Sequence, residues 1–213
     1  ELTTEVIDYL YVIGYNNFDN LDSKIILEKD LKIINCNFTN NHDNKDDFSI
    51  AASGGAVGAY SKGSQIINCI FDSNWVKGGL TSFGGALQIG MDVPDNYGLV
   101  DRCIFKNNRV FGPDKNSHGG AGCVRNGVTY SNCLFINNSA SQGGAVTFHA
   151  SGDIINCTFI NNTAEYFGGA VSTGYLYNTM TLKIVDCNFN GNEAPDGGAV
   201  QAIGLNVNLF DSN

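Results

Sequence analysis

Thiols dominate the residues of this chain that could do chemistry. Seven cysteines stand beside three histidines, 12 basic and 21 acidic residues in a chain of 213. Thiolates and imidazoles serve as nucleophiles, bases and metal ligands, and paired carboxylates cut glycosidic bonds. Spacing decides which of these roles is open. No C-x-x-C pair and no Cys/His cluster occurs, so the zinc pattern is missing. Instead Cys36, Cys69, Cys103, Cys133, Cys157 and Cys187 each precede a phenylalanine by two residues, in a recurring phrase Cys-x-Phe-x-x-Asn.

That phrase defines the elements that must position everything else. Aligning on phenylalanine gives seven copies, at Phe38, Phe71, Phe105, Phe135, Phe159, Phe189 and Phe210, each followed three residues later by asparagine, from Asn41 to Asn213. Six Gly-Gly-Ala triplets interleave, beginning at Gly54, Gly84, Gly119, Gly143, Gly168 and Gly197. Cys-to-Cys intervals of 33, 34, 30, 24 and 30 residues, with 21 between the last two phenylalanines, suit one coil of a parallel β-helix of about three short strands. Propeller blades and helical repeats need longer or helix-periodic units. The expected fold is all-β: a parallel β-helix of about seven coils with loop insertions, one domain over 1–213. Residues 1–24 lack the phrase and are expected to form an irregular first coil or a partial cap. The pattern is expected to continue in a longer surface protein.

Within a coil the columns take distinct jobs. The apolar column Ile33, Ile66, Val100, Tyr130, Ile154, Ile184 lies three residues before cysteine, an odd step that sends a plain strand's side chains to opposite faces. A bend at the intervening Asn35, Asn68, Asn132 and Asn156, with Arg102 and Asp186 as departures, brings both columns inward, since asparagine tolerates the left-handed backbone region. Phenylalanines stack about 4.8 Å apart from coil to coil, each contributing roughly 1.5–3 kcal/mol when buried. Gly-Gly-Ala makes a tight corner where a Cβ would collide. After it Val57, Leu87, Val146, Val171 and Val200, then Ile89, Val124 and Phe148, start a further inward strand.

At these residues the chain resembles a known class. F-x-x-N paired with G-G-A-[ILV] resembles the repeat of the chlamydial polymorphic membrane proteins, and the fuller N-C-x-F-x-x-N…G-G-A-V form is similar to adhesin-like surface proteins of methanogenic archaea and of bacteria. The resemblance covers about residues 25–213. It implies a right-handed, single-stranded β-helix displayed extracellularly at the cell surface and associated with attachment.

The chemistry can now be placed. Six cysteines in one ladder have parallel Cβ vectors, which supply disulfide geometry poorly, so they are expected to be buried thiols acting as small hydrophobes. Cys123 falls in the column of Gly58, Gln88, Thr147, Ser172 and Gln201, expected to face outward, and is either a reactive thiol or an inert surface residue. The outward columns after Gly-Gly-Ala carry no carboxylate. Arg125 and His149 could be rung neighbours forming a basic spot near a ligand, or unrelated polar residues. Asp43, Asp46 and Asp47 lie in an insertion and could hold calcium, although no calcium-loop spacing is present and solvated acids are the simpler reading; no other cofactor or metal is indicated. Inserted loops are expected to carry Trp75, Phe83, Phe111 and His118, with Tyr97, Tyr175 and Tyr177 in later insertions.

The net charge of −9 argues against nucleic acid, and no apolar run of 18 residues could span a bilayer. The expected function is a non-catalytic, adhesin-like module that attaches to a glycan or protein receptor of another cell, with Trp75, Tyr97, Phe111, His118, Arg125 and His149 as candidate ligand-binding residues. A polysaccharide lyase or hydrolase, a carbohydrate-binding remnant and a passive stalk are the alternatives.

Overall fold

The computed structural model describes residues 31–45, 51–60, 63–78, 80–90, 97–112, 116–174, 180–203, 206–210 and 212. The proposed cap at 1–24, and Asp46, Asp47, Tyr175, Tyr177 and Asn213, lie outside these residues. Short strands pair in parallel with the strand one coil away, in four ladders. The first holds seven strands, from Lys32–Ile34 to Asn206–Phe210, and carries the Ile column. The second holds six, from Asn37–Thr39 to Asn188–Asn190, and carries the Phe column. A third, the flank, runs from His42–Asn44 through Trp75–Lys77 and Arg109–Phe111 to Ser139–Gln142 and Thr163–Phe167. The fourth holds six strands after Gly-Gly-Ala, from Val57–Ala59 to Val200–Gln201. The fold is a parallel β-helix.

Three left-handed positions per coil set this cross-section, the third being the first glycine of Gly-Gly-Ala. The first is at Asn35, Asn68, Arg102, Asn132, Asn156 and Asp186, with φ between 50° and 57°. The second, at Asn40, Ser73, Asn107, Asn137, Asn161 and Gly191, has φ between 52° and 62° and turns the Phe strand onto the flank. Between the bends the rings of Phe38, Phe71, Phe105, Phe135, Phe159 and Phe189 form one continuous internal column, with centroids 4.7–5.0 Å apart and planes within 7°. Beside it runs the thiol column. Cys69 N–H faces the sulfur of Cys103 at 3.4 Å, and Cys133 N–H faces that of Cys157 at 3.4 Å. None of the seven cysteines is in a disulfide.

Asparagine does the polar work where the chain turns. Asn74, Asn108, Asn138 and Asn162 are fully buried. Each Oδ1 accepts from both the backbone N–H and the side-chain amide of the asparagine one coil before it, at 2.9–3.0 Å. Each Nδ2 also donates to the carbonyl of a phenylalanine in that preceding coil, as Asn138 does to Phe105 at 3.0 Å. Buried backbone at a bend would otherwise lack partners; the ladder supplies them in series.

The Gly-Gly-Ala corner meets the flank at a pinch. The first glycine is left-handed, φ 58° at Gly84. A Cβ on the second, Gly85, would strike the carbonyl oxygens of Gly120 and Arg109, the latter at the start of the flank strand. This approach divides the interior into the main core and a small cluster of Ala52, Val76, Val110 and Ala140 behind the flank.

Three expectations need correction. A coil has four strand segments, not three. Insertions in the first three coils split the flank strand, so Trp75, Phe83, Phe111 and His118 sit in strands on either side of the inserted loops rather than in them. Phe210 is no member of the Phe column: it pairs with Val185 in the first ladder and is 49% exposed. Ser212 instead takes the cysteine position, accepting from Cys187 N–H at 3.3 Å across an interval of 25 residues. That interval is one residue longer than the 24 separating Cys133 from Cys157; the apparent 21-residue coil was an accident of Phe-Asp-Ser-Asn recurring out of register.

Candidate functional site: flank and corner

Departures from the repeat gather in two places. On the flank, His42, Trp75 and Arg109 stand in register on the outer face, and Asn44, Lys77 and Phe111 form the next outer column. The His42 and Trp75 rings stack at 4.5 Å with planes 3° apart. Phe111 meets Trp75 edge-on at 6.1 Å, and the Arg109 guanidinium lies 5.0 Å from its ring centre. Phe111 is 41% exposed. The result is an aromatic cluster of His42, Trp75 and Phe111 edged by Lys77 and Arg109, two cations on an acidic chain.

The second place is the concave corner, where the residue before Gly-Gly faces the columns after Gly-Gly-Ala. Here the structure overturns an expectation: the column of Gln88, Cys123, Thr147, Ser172 and Gln201 points away from the core yet is buried, with Cys123 at 0% exposure. The corner folds both walls over it. Tyr60 donates to Gln88 Oε1 at 2.8 Å and lies 2.8 Å from Ser53 Oγ; Thr147 Oγ1 donates to the Gln142 carbonyl at 2.9 Å. Cys123 is thus no surface thiol.

Three rings line the middle of this corner. Phe83 and His118, paired in adjacent strands, stack at 5.4 Å. His149 crosses both, 4.9 Å from His118 and 5.6 Å from Phe83. Arg125 lies 4.7 Å from the Phe83 ring centre. Burial lowers His118 to about 4, with the Arg125 charge adding to it. Burial, then His118 and Arg125, lowers His149 to about 3. Both imidazoles are therefore neutral at pH 7. Across the core, burial pushes the Cys133 thiol well above its ordinary range.

The candidate residues thus divide. Trp75 and Phe111 belong to the flank stack; His118, Arg125 and His149 come together in the corner; Tyr97, 73% exposed at the edge of the first ladder, stands apart. His42 and Arg109 escaped the sequence reading, although His-x-Asn, Trp-x-Lys and Arg-x-Phe share a strand's two-residue alternation. Asp43 lies in the flank strand His42–Asn44 rather than in an inserted loop, and it is engaged, accepting from Ser53 N–H at 3.0 Å and pairing with Lys45 at 3.4 Å. Among the described residues no group of three or more His, Cys, Asp or Glu is placed to hold a metal ion.

The Chlamydia polymorphic membrane protein (Chlamydia_PMP) repeat matches residues 132–148 and 156–174. The chain carries polymorphic membrane protein repeats. Each matched stretch begins at a left-handed asparagine, Asn132 or Asn156, and runs through the Phe strand, flank and corner to the end of the fourth strand or just past it. In these two coils the flank strand is continuous, Ser139–Gln142 and Thr163–Phe167. No curated protein and no solved structure matches the chain. Among the described residues no helix is long and apolar enough to cross a membrane.

Proposed function

We propose that this array of polymorphic membrane protein repeats is a non-catalytic module of a cell-surface protein, and that its flank attaches to carbohydrate on another cell. The observation that carries the reading is the flank stack. Elsewhere recurring residues are consumed by the core, the bends and the corners, whereas His42, Trp75, Arg109 and Phe111 present rings and donors on the outer face of a rigid sheet. An apolar ring edge beside fixed donors suits a sugar, with its CH faces and hydroxyls. A non-catalytic role is supported by the two corner columns, which supply no carboxylate pair of the kind glycosidases use.

The test is a glycan array probed with the 213-residue chain and with Trp75→Ala and Phe111→Ala. Binding to a defined set of glycans, weakened at least about tenfold in both variants at unchanged melting temperature, supports the reading. Absence of any glycan binding, retention of a protein ligand instead, or turnover of a bound polysaccharide would each sink it.

A further inference from the structure

Arg109 is placed differently from the other bases of its coil. Arg102 and Lys106 spend their charge on Asp101 at 2.9 Å and Asp72 at 3.0 Å. Arg109 is exposed on the flank and, among the described residues, pairs with no carboxylate. Its Nε donates to Ser139 Oγ, one coil on, at 3.0 Å, and its guanidinium lies 5.0 Å from the Phe111 ring centre. These contacts fix the plane of the group without consuming it. The terminal nitrogens, the fork that grips an oxyanion, bond to nothing among the described residues.

The surrounding charge favours an anion there. Lys77 stands in register with Phe111 in the next outer column. Asp43, in the flank strand of the first described coil, is already held by Ser53 N–H and Lys45. Glu165 and Glu193 lie two and three coils beyond Arg109, at least about 10 and 14 Å away at about 4.8 Å per coil. Exposed charges are largely screened beyond about 8 Å at physiological salt. Neither those acids nor the net charge of −9 therefore governs what meets Arg109.

Resting on the flank reading above, we propose that the carbohydrate taken there is acidic, a sugar bearing a carboxylate or a sulfate. The oxyanion sits in the fork of Arg109 with two parallel, charge-assisted hydrogen bonds. The ring that carries it rests on Trp75 and Phe111, whose centres are 6.1 Å apart, with Phe111 the ring beside the guanidinium. One sugar unit thus reaches both the apolar edge and the fork. A neutral sugar offers the fork hydroxyls alone, whose bonds lack the charge and are weaker.

Trp75 is the chain's single tryptophan, so its fluorescence reports on this site. The experiment titrates the 213-residue chain with a neutral β-1,4-glucan oligomer, its sulfated derivative and the glucuronan oligomer of equal length. A saturable change in Trp75 emission, at least about tenfold tighter for an acidic oligomer than for the neutral one, is expected. The preference should shrink in about 1 M salt. It should vanish in Arg109→Gln at unchanged melting temperature, with Arg109→Lys, which keeps charge without the fork, falling between. Tighter binding of the glucuronan assigns the oxyanion as carboxylate; tighter binding of the sulfated glucan assigns it as sulfate. Equal or tighter binding of the neutral oligomer, or an acidic preference that survives in folded Arg109→Gln, overturns the inference and leaves the flank reading standing. Silence of Trp75 with all three oligomers overturns the inference alone where the glycan array finds neutral sugars, and the flank reading with it where the array is silent too.

Discussion

Replacing Asn138 by alanine tests the asparagine ladder at its centre. The side chain makes four hydrogen bonds: Nδ2 donates to the Phe105 carbonyl at 3.0 Å and to Asn162 Oδ1 at 2.9 Å, and Oδ1 accepts from Asn108 N–H at 2.9 Å and Asn108 Nδ2 at 3.0 Å. Three of the groups left behind retain a partner. Asn162 Oδ1 still accepts from the Asn138 backbone, Asn108 Nδ2 still donates to Phe71, and Phe105 keeps its place in the sheet. The Asn108 backbone N–H is stranded in the interior. An orphaned buried donor costs about 1–3 kcal/mol and each of the three further net bonds about 0.5–1.5, so the variant should lose about 2.5–7.5 kcal/mol. Among the described residues Asn41, half-buried in the first described coil, loses only its side-chain bond to Asn74, and Asn41→Ala should cost about 1 kcal/mol. Urea unfolding followed by far-ultraviolet circular dichroism measures both. Equal losses at the two positions would refute the idea that the ladder's interior rungs carry backbone that nothing else can satisfy.

Other predictions probe the core, the corner and the thiols. Tyr130 replaces the isoleucine of its column and Gly122 the valine of its own; a Cβ on Gly122 would collide with the buried, unpartnered Tyr130 hydroxyl. Gly122→Val alone should therefore cost at least about 2 kcal/mol, and adding Tyr130→Ile should recover most of it, a coupling read from a double-mutant cycle. Because His118 and His149 titrate near 4 and 3 when folded, but near 6.5 when unfolded, the unfolded chain takes up protons first as pH falls. Stability should be full above pH 6.5 and decline from about 6.5 to 4 for His118 and to 3 for His149, by up to about 2 kcal/mol per histidine from pH 7 to 5. His149→Phe should flatten that slope in urea titrations at the two pH values. A thiol reagent should label none of the seven cysteines in the native chain and all of them in urea, Cys123 included.

How far the fold could be read from the sequence follows from what must repeat. Phe105 lies between Phe71 and Phe135, and Asn108 between Asn74 and Asn138, so a change on one rung is felt on the next. Self-contact enforces recurrence, and those columns, with the left-handed asparagines and the glycine corner, were legible. The flank was not: Trp75 faces His42 and Arg109, unlike residues in register, so no column betrays the strand. Nor was the burial of Cys123, because two-residue alternation tells a side chain's face but not whether a neighbouring wall folds over it. Phe210 deceived by local identity: Phe-Asp-Ser-Asn copies the wording from Phe71 to Asn74, while pairing to Val185 sets its register. The ring cluster of Phe83, His118 and His149 arises from residues up to two coils apart, joined only by the bend of the corner.

The most direct test of the account is whether phenylalanines one coil apart touch. Ring-to-ring nuclear Overhauser contacts should link Phe71 to Phe105, Phe105 to Phe135 and Phe135 to Phe159, alongside the backbone contacts of in-register parallel strands. Contacts of antiparallel hairpins, or rings in separate environments with no contact between successive copies, would contradict it.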